Sequence, residues 1–235
     1  MNELGVTEAV ISRRAVRDFT DQPVPEALLR DVLTTASQAP SGSNIQPWKV
    51  YAFAGDALVQ ALGVLEKRLF AGIPETPEFP TYPEPLDDPY RARRSDCGER
   101  MYAALDIPRG DKTARVKQVM QNYRFFGAPV GMIITMDPAM GEAQTLDIGI
   151  FAQTIALVAR AHGLDTCLQV SWTLMPKAVR DAFGIPGDER VMLGISLGYG
   201  TPNHPVNHLN QPRADLDEFV SFQGFRGIDQ LETGL

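Results

Sequence analysis

Between Glu26 and Gln38 the apolar residues Leu28, Leu29, Val32, Leu33 and Ala36 recur at helical spacing, and Pro25 suits the first turn of that helix. A second apolar stripe, Leu58, Leu62, Leu65 and Leu69, predicts a helix over Asp56–Phe70. Further helices are expected at about Cys97–Leu105, Asp111–Phe125 and Leu174–Phe183, the last stopped by Gly184 and Pro186. Thr7 is expected to cap a short helix running into Arg13. Leu146–His162 is apolar on nearly every face, which predicts a helix buried in a core or an interface, with Gly163 as its C′ residue. Strands are read at Lys49–Ala54, which alternates, and at the compact apolar runs Pro129–Met136, Leu164–Trp172 and Val191–Gly200.

This order predicts an α+β fold: a mixed four- to five-stranded sheet flanked by helices. It lacks regular βαβ alternation and contains no G-x-G-x-x-G. Residues 1–235 are read as a single domain with an insertion at about 71–109 and a C-terminal extended arm at about 201–235. The insertion holds Pro74, Pro77, Pro80, Pro83, Pro85 and Pro89 among Phe79, Tyr82 and Tyr90. Proline at that density excludes a regular helix or central strand, leaving either an interdomain linker or an ordered cover over a site.

Charge changes the picture at one place. The net charge is −7, which argues against binding nucleic acid or anionic membranes, yet "ISRRAVRDF" gathers Arg13, Arg14 and Arg17. Arg13 and Arg17 share a side whether the segment is helical or extended, so they can converge on one anion or form a solvated basic face. "APSGSNIQPWK" offers Ser41, Ser43 and Asn44 as polar groups and Gly42 as a close-approach point, or is simply a turn. Cys97 and Cys167 lack the spacing of a disulfide scaffold or metal site, and no secretory signal is visible, so a cytoplasmic location is expected. Ile148–Ala161, interrupted by Gln153 and Arg160, is too short to span a bilayer. His204 and His208 sit beside no carboxylate cluster, so no metal site is assigned. No hydrolase triad motif is present.

Taken in order, R-R-x-x-R-x-F, A-P-S-x-x-N-x-Q-P-W, "NYRFFGAPV", "GLDTCLQVSW" and "GYGTPNHPVNHLNQPRADLDEF" resemble the blocks of the nitroreductase family of FMN-dependent oxidoreductases, from about Val10 to Phe225. The resemblance implies a homodimer with two FMN sites, each lined by both subunits. Arg13 and Arg213, with Arg14 beside them, would bind the FMN phosphate. Arg17 and Arg124 would lie near the pyrimidine edge of the ring and tune it electrostatically. Pro40, Ser41, Gly42, Asn44 and Gln46 would come from the other subunit. Leu168, Gln169, Val170 and Ser171 would run under the ring. Many family members carry serine where this chain has Ala15, so one hydroxyl contact is missing.

The implied activity is ping-pong hydride transfer through flavin N5, from NADPH or NADH to a nitroaromatic or quinone-type acceptor, with no protein nucleophile. Another reaction of the family (dehalogenation, enone reduction, flavin breakdown) and a flavin-binding protein without turnover are the alternatives. The insertion is similar to the longer cover of nitroaromatic and nitrobenzoate-reducing members. Arg91, Arg93 and Arg94 would then steer an anionic substrate or the NADPH 2′-phosphate, or form a solvated cluster. Phe125 and Phe126 would wall the acceptor pocket, or belong to the core.

Overall fold

The computed structural model describes residues 4–224. Four strands, β1 (Trp48–Ala54), β2 (Val130–Met136), β3 (Asp165–Gln169) and β4 (Arg190–Gly198), form one sheet in the order β1-β2-β4-β3. The central strands read as unbroken apolar runs because helices cover both faces; β2 is buried at every position. All paired strands are antiparallel, and four strands is the lower of the two expected counts. The parallel component of the expected mixed sheet is confined to one bridge, Ala15 to Thr166.

Helices α1 (Val6–Ser12), α2 (Glu26–Ala36), α3 (Gly55–Phe70), α4 (Tyr90–Ala104), α5 (Lys112–Met120), α6 (Glu142–Ala161) and α7 (Pro176–Phe183) complete the described chain. On one face of the sheet α2 and α6 meet Met132, Ile134 and Ile195; on the other, α3 and α7 meet Ile133 and Val191. Several boundaries differ from expectation. Gly5, not Thr7, starts α1, where the Glu8 carboxylate accepts the Gly5 N–H. Helix α4 begins seven residues before Cys97, because Asp88 accepts the Ala92 N–H and pairs with Arg91. Helix α6 starts at Glu142, with the Gln144 side chain accepting the Gly141 N–H.

The expected helix through Phe125 instead ends at Met120. Phe125 and Phe126 follow with φ of 48° and 53°, which turns both rings inward. Phe125 stacks on Trp172 at 4.3 Å, with Phe183 edge-on to both. Two glycines make the room: a Cβ at Gly131 would lie 2.3 Å from the Phe125 ring, and one at Gly194 2.3 Å from Trp172. Fully burying such a ring contributes about 2–3 kcal/mol by transfer alone. Phe125 and Phe126 are therefore core residues, the second of the two expected alternatives.

The start of the proline-rich stretch is tied down. Both Glu75 oxygens accept N–H groups at the start of α7, from Lys177 at 2.6 Å and Ala178 at 2.9 Å. Glu78 pairs with Arg180 at 2.6 Å and accepts the Val191 N–H. Residues 225–235 of the C-terminal arm, including Phe225, lie outside the described residues.

Candidate functional site

Helix α1 ends at Ser12, and Arg13 has extended backbone angles. The segment that follows is clamped between β3 and the loop after β4. Val16 N–H donates to Thr166 O at 3.0 Å, Thr20 N–H to Tyr199 O at 2.8 Å, and Thr201 N–H to Asp18 O at 3.0 Å. Asn207 is the cross-link: its Oδ1 accepts Arg17 N–H at 2.9 Å and its Nδ2 donates to Asp18 O at 2.7 Å. An extended segment puts alternate residues on one side. Arg13, Ala15 and Arg17 thus line one cavity while Val16 points into the core.

That cavity, about 730 Å³, is walled by this segment, by the loop from Val206 to Ala214 and by one side of α4. Its volume is in the range of small-molecule sites. Arg14 and Arg213 join Arg13 and Arg17 in the lining. The two acids there are already paired, Glu218 with Arg93 and Asp96 with Arg100, both at 2.6 Å. Among the described residues, none of the four other guanidiniums meets a carboxylate. Arg17 reaches Ala15 O at 3.3 Å, Arg213 reaches Gln211 O at 2.9 Å, and Arg14 lies 3.5 Å from His208 Nδ1. Four like charges facing one hollow repel each other, and an anion offsets that repulsion through charge-assisted hydrogen bonds. Gln211 Nε2, on the same wall, is a buried donor with no partner among the described residues.

Cys167 sits behind the arginines on β3. Burial pushes its thiol up to about 11, against the pull of Arg17 and Arg13, so it is an inert packing group.

The expected site residues divide. The chain brings Arg13, Arg14, Arg17 and Arg213 together, with Arg93 opposite on α4. Arg91 and Arg94 face a separate hollow beside Pro80–Leu86, where Arg91 pairs with Asp88 and Arg94 lies 4.0 Å over the Tyr82 ring. The basic cluster of the insertion is thus split across two surfaces, because successive helical positions point apart. Arg124 does not join Arg17; it pairs with Glu66 of α3.

The Gln169 side chain is consumed internally, donating to Asn122 O at 2.8 Å and accepting from Ser196 at 2.7 Å. Leu168 and Val170 are exposed beside it, and the Ser171 hydroxyl is buried with no partner among the described residues. Pro40, Ser41, Gly42, Asn44 and Gln46 lie outside the arginine cavity, on a loop packed against α6.

Sequence reasoning missed Asn207, Gln211 and the α4 residues Asp96 and Cys97. The one available signal was a polar side chain inside a Pro/Asn-rich loop, where Asn commonly bonds backbone.

The nitroreductase family model matches residues 10–199. A nitrobenzene nitroreductase of Ectopseudomonas oleovorans is 38% identical over 219 residues, covering 92% of this chain and 96% of that one. The crystal structure of the FMN and NADPH-dependent nitroreductase NfnB from Sphigopyxis sp. strain HMH superposes with a TM-score of 0.91 at 38% identity, covering 94% of this chain and 100% of that one. The FMN-dependent NfnB from Mycobacterium smegmatis, solved in complex with NADPH, superposes with a TM-score of 0.87 at 33% identity, covering 92% and 97%.

Proposed function

The chain belongs to the nitroreductase family, and on that premise we propose that it binds FMN in the arginine cavity and uses NADPH or NADH to reduce nitroaromatic or quinone-type acceptors. The observation that carries this reading is the set of four guanidiniums that meet no carboxylate among the described residues, turned into one cavity whose acids are already neutralised. A phosphate dianion matches guanidinium forks, and the unpartnered buried Gln211 Nε2 supplies a further donor of the kind a phosphate or ribityl oxygen takes. The residues present therefore fit the group.

Arg13, Arg14 and Arg213 would hold the phosphate, and Arg17 would place positive charge beside the ring. Ala15 lines the cavity without a hydroxyl, so the phosphate end depends on guanidiniums and amides. Bound FMN supplies a hydride acceptor and donor. The chain itself contributes binding, orientation and positive charge, and α4 shields one side of the cavity from water. No acid–base residue is required.

The reading includes a homodimer in which Pro40–Gln46 and Leu168–Ser171 complete the site together with the arginines. Two helices that pack on each other expose apolar side chains: Val6, Val10 and Ile11 on α1, Leu146 and Ile150 on α6. Gly149 lies exposed between the latter two, with open space where its Cβ would be. A second copy meeting this face would bury it and bring the partner's loop to the cavity. The chain is read as one domain with α4 in the insertion as the cover. Among the described residues no helix is long and apolar enough to cross a membrane; a cytoplasmic location is part of the proposal.

Titration of flavin-free protein with FMN, followed by the loss of free-flavin fluorescence, tests the reading. One FMN per chain is expected, and absence of saturable binding would refute it.

A further inference from the structure

Asp147, near the start of α6, is only 7% exposed. A carboxylate is rarely buried to that extent unless a cation pairs with it. Among the described residues none lies within ion-pair distance. Its Oδ1 accepts the backbone N–H of Gly42 at 3.1 Å, and its Oδ2 is buried with no hydrogen-bond partner among the described residues. Such a group is costly to keep, so what it holds needs explaining.

What it holds is strained. Ser43, Asn44 and Gln46 have φ of 51°, 59° and 52°, a left-handed conformation that non-glycine residues adopt only under constraint. The other hydrogen bonds of the loop are internal. Asn44 N–H reaches Ser41 O, Ile45 N–H reaches Gly42 O, Gln46 N–H reaches Ser41 Oγ, and Gln46 Nε2 reaches Asn44 O. Asp147 is thus the one side chain outside the loop that bonds to it among the described residues. It also sits between Leu146 and the Gly149–Ile150 step, on the turn of α6 that carries the exposed apolar face.

We propose that Asp147 is a positioning residue for the cofactor: it fixes the strained Ser41–Gln46 loop to α6, so that the loop's polar groups are presented in one geometry to the flavin across the dimer. This rests on the reading that the loop lines the FMN site. The carboxylate acts through the Gly42 N–H and touches neither flavin nor substrate. Its chemical requirement is an acceptor oxygen at the position of Oδ1. Asparagine supplies one; alanine does not.

The test is FMN titration of the flavin-free full chain as wild type, D147A, D147N and R213A. It is read together with the visible circular dichroism of the bound flavin and the melting of each flavin-free protein. D147A should weaken FMN binding about tenfold or more, because the released loop must then be ordered on binding, and should alter the flavin dichroism. D147N should restore both to within about threefold of wild type. A D147A protein that melts lower but binds FMN with wild-type affinity and dichroism, while R213A loses affinity, would overturn the positioning role alone. Unchanged affinity in both D147A and R213A would overturn that role together with the cofactor reading beneath it. Should D147A not fold, D147N decides: near-wild-type affinity and dichroism support the role, and a loss beyond about tenfold overturns it.

Discussion

Arg213→Ala removes a guanidinium whose only bonds among the described residues are to carbonyls of its own loop, Gln211 O at 2.9 Å and Pro212 O at 3.1 Å. No ion pair among the described residues is lost, and the residue is exposed, so the stability of the flavin-free protein should change by less than about 0.5 kcal/mol. The effect on FMN is different in kind. A hydrogen bond to a charged group contributes roughly 1.5–3 kcal/mol, and 1.4 kcal/mol is tenfold in affinity. The substitution should therefore raise the FMN dissociation constant about 10- to 100-fold, toward the lower end because the cavity is open to water.

The control matters as much as the variant. From sequence, Arg180 looks like a surface arginine suited to that purpose. In the structure it is largely buried, paired with Glu78 at 2.6 Å and donating to Glu189 O at 3.0 Å. Arg30 serves instead, paired only with Glu26 one turn away and about three-quarters exposed. Fluorescence titration of wild type, R213A and R30A at one ionic strength measures the difference. Equal affinity in R213A and R30A would refute the phosphate role of Arg213.

Other consequences test separate parts of the structure. Arg17→Gln removes positive charge beside the proposed ring position, and should lower the flavin midpoint potential in redox titration by about 20–60 mV, the equivalent of roughly 1–3 kcal/mol for a two-electron couple; an unchanged potential would place Arg17 away from the ring. Phe125→Ala empties a fully buried ring stacked on Trp172 and should cost about 3–5 kcal/mol in chemical denaturation; near-wild-type stability with a raised KM for the nitroaromatic would return Phe125 to the pocket. Burial pushes the Glu189 carboxyl up, but hydrogen bonds from Lys49, Thr135 and Tyr51 outweigh this and hold it below its ordinary range. A lowered carboxyl stabilises the fold above its unfolded pKa, and that contribution fades as pH falls through the folded value. Glu189→Gln should accordingly cost roughly 1–3 kcal/mol at pH 7, and the gap to wild type should narrow below about pH 4; a gap independent of pH would contradict the charge-based account.

What the sequence made legible follows from which signals are local. Strands β2 and β4 are apolar at consecutive positions because both their faces are covered, and α2, α3 and α7 carry clear one-sided stripes. Helix α4 has no buried residue and hence no stripe to mark its first two turns; its start is set by Asp88 and an arginine-rich turn. The inward turn of Phe125 and Phe126 depends on hollows left by Gly131 and Gly194 on other strands, which no local pattern announces.

At the site, Arg13 and Arg17 were legible from spacing, since either local conformation puts them on one side. Asn207, Gln211 and Asp147 act through backbone or buried contacts made by distant chain, so their single polar letters carried no periodicity. The pairing of Arg124 with Glu66 and of Arg180 with Glu78 is likewise visible only once the chain is packed.

On this reading the arginine cavity holds FMN in a working reductase. Anaerobic mixing of the FMN-loaded protein with NADPH, then with nitrobenzene, tests it directly by following the visible flavin absorption. The band should bleach on the first addition and return on the second, and protein carrying Arg13→Ala and Arg213→Ala together should bind too little flavin to show either change. A flavin that stays oxidised with both NADPH and NADH, or a double variant that binds and cycles like wild type, would contradict it.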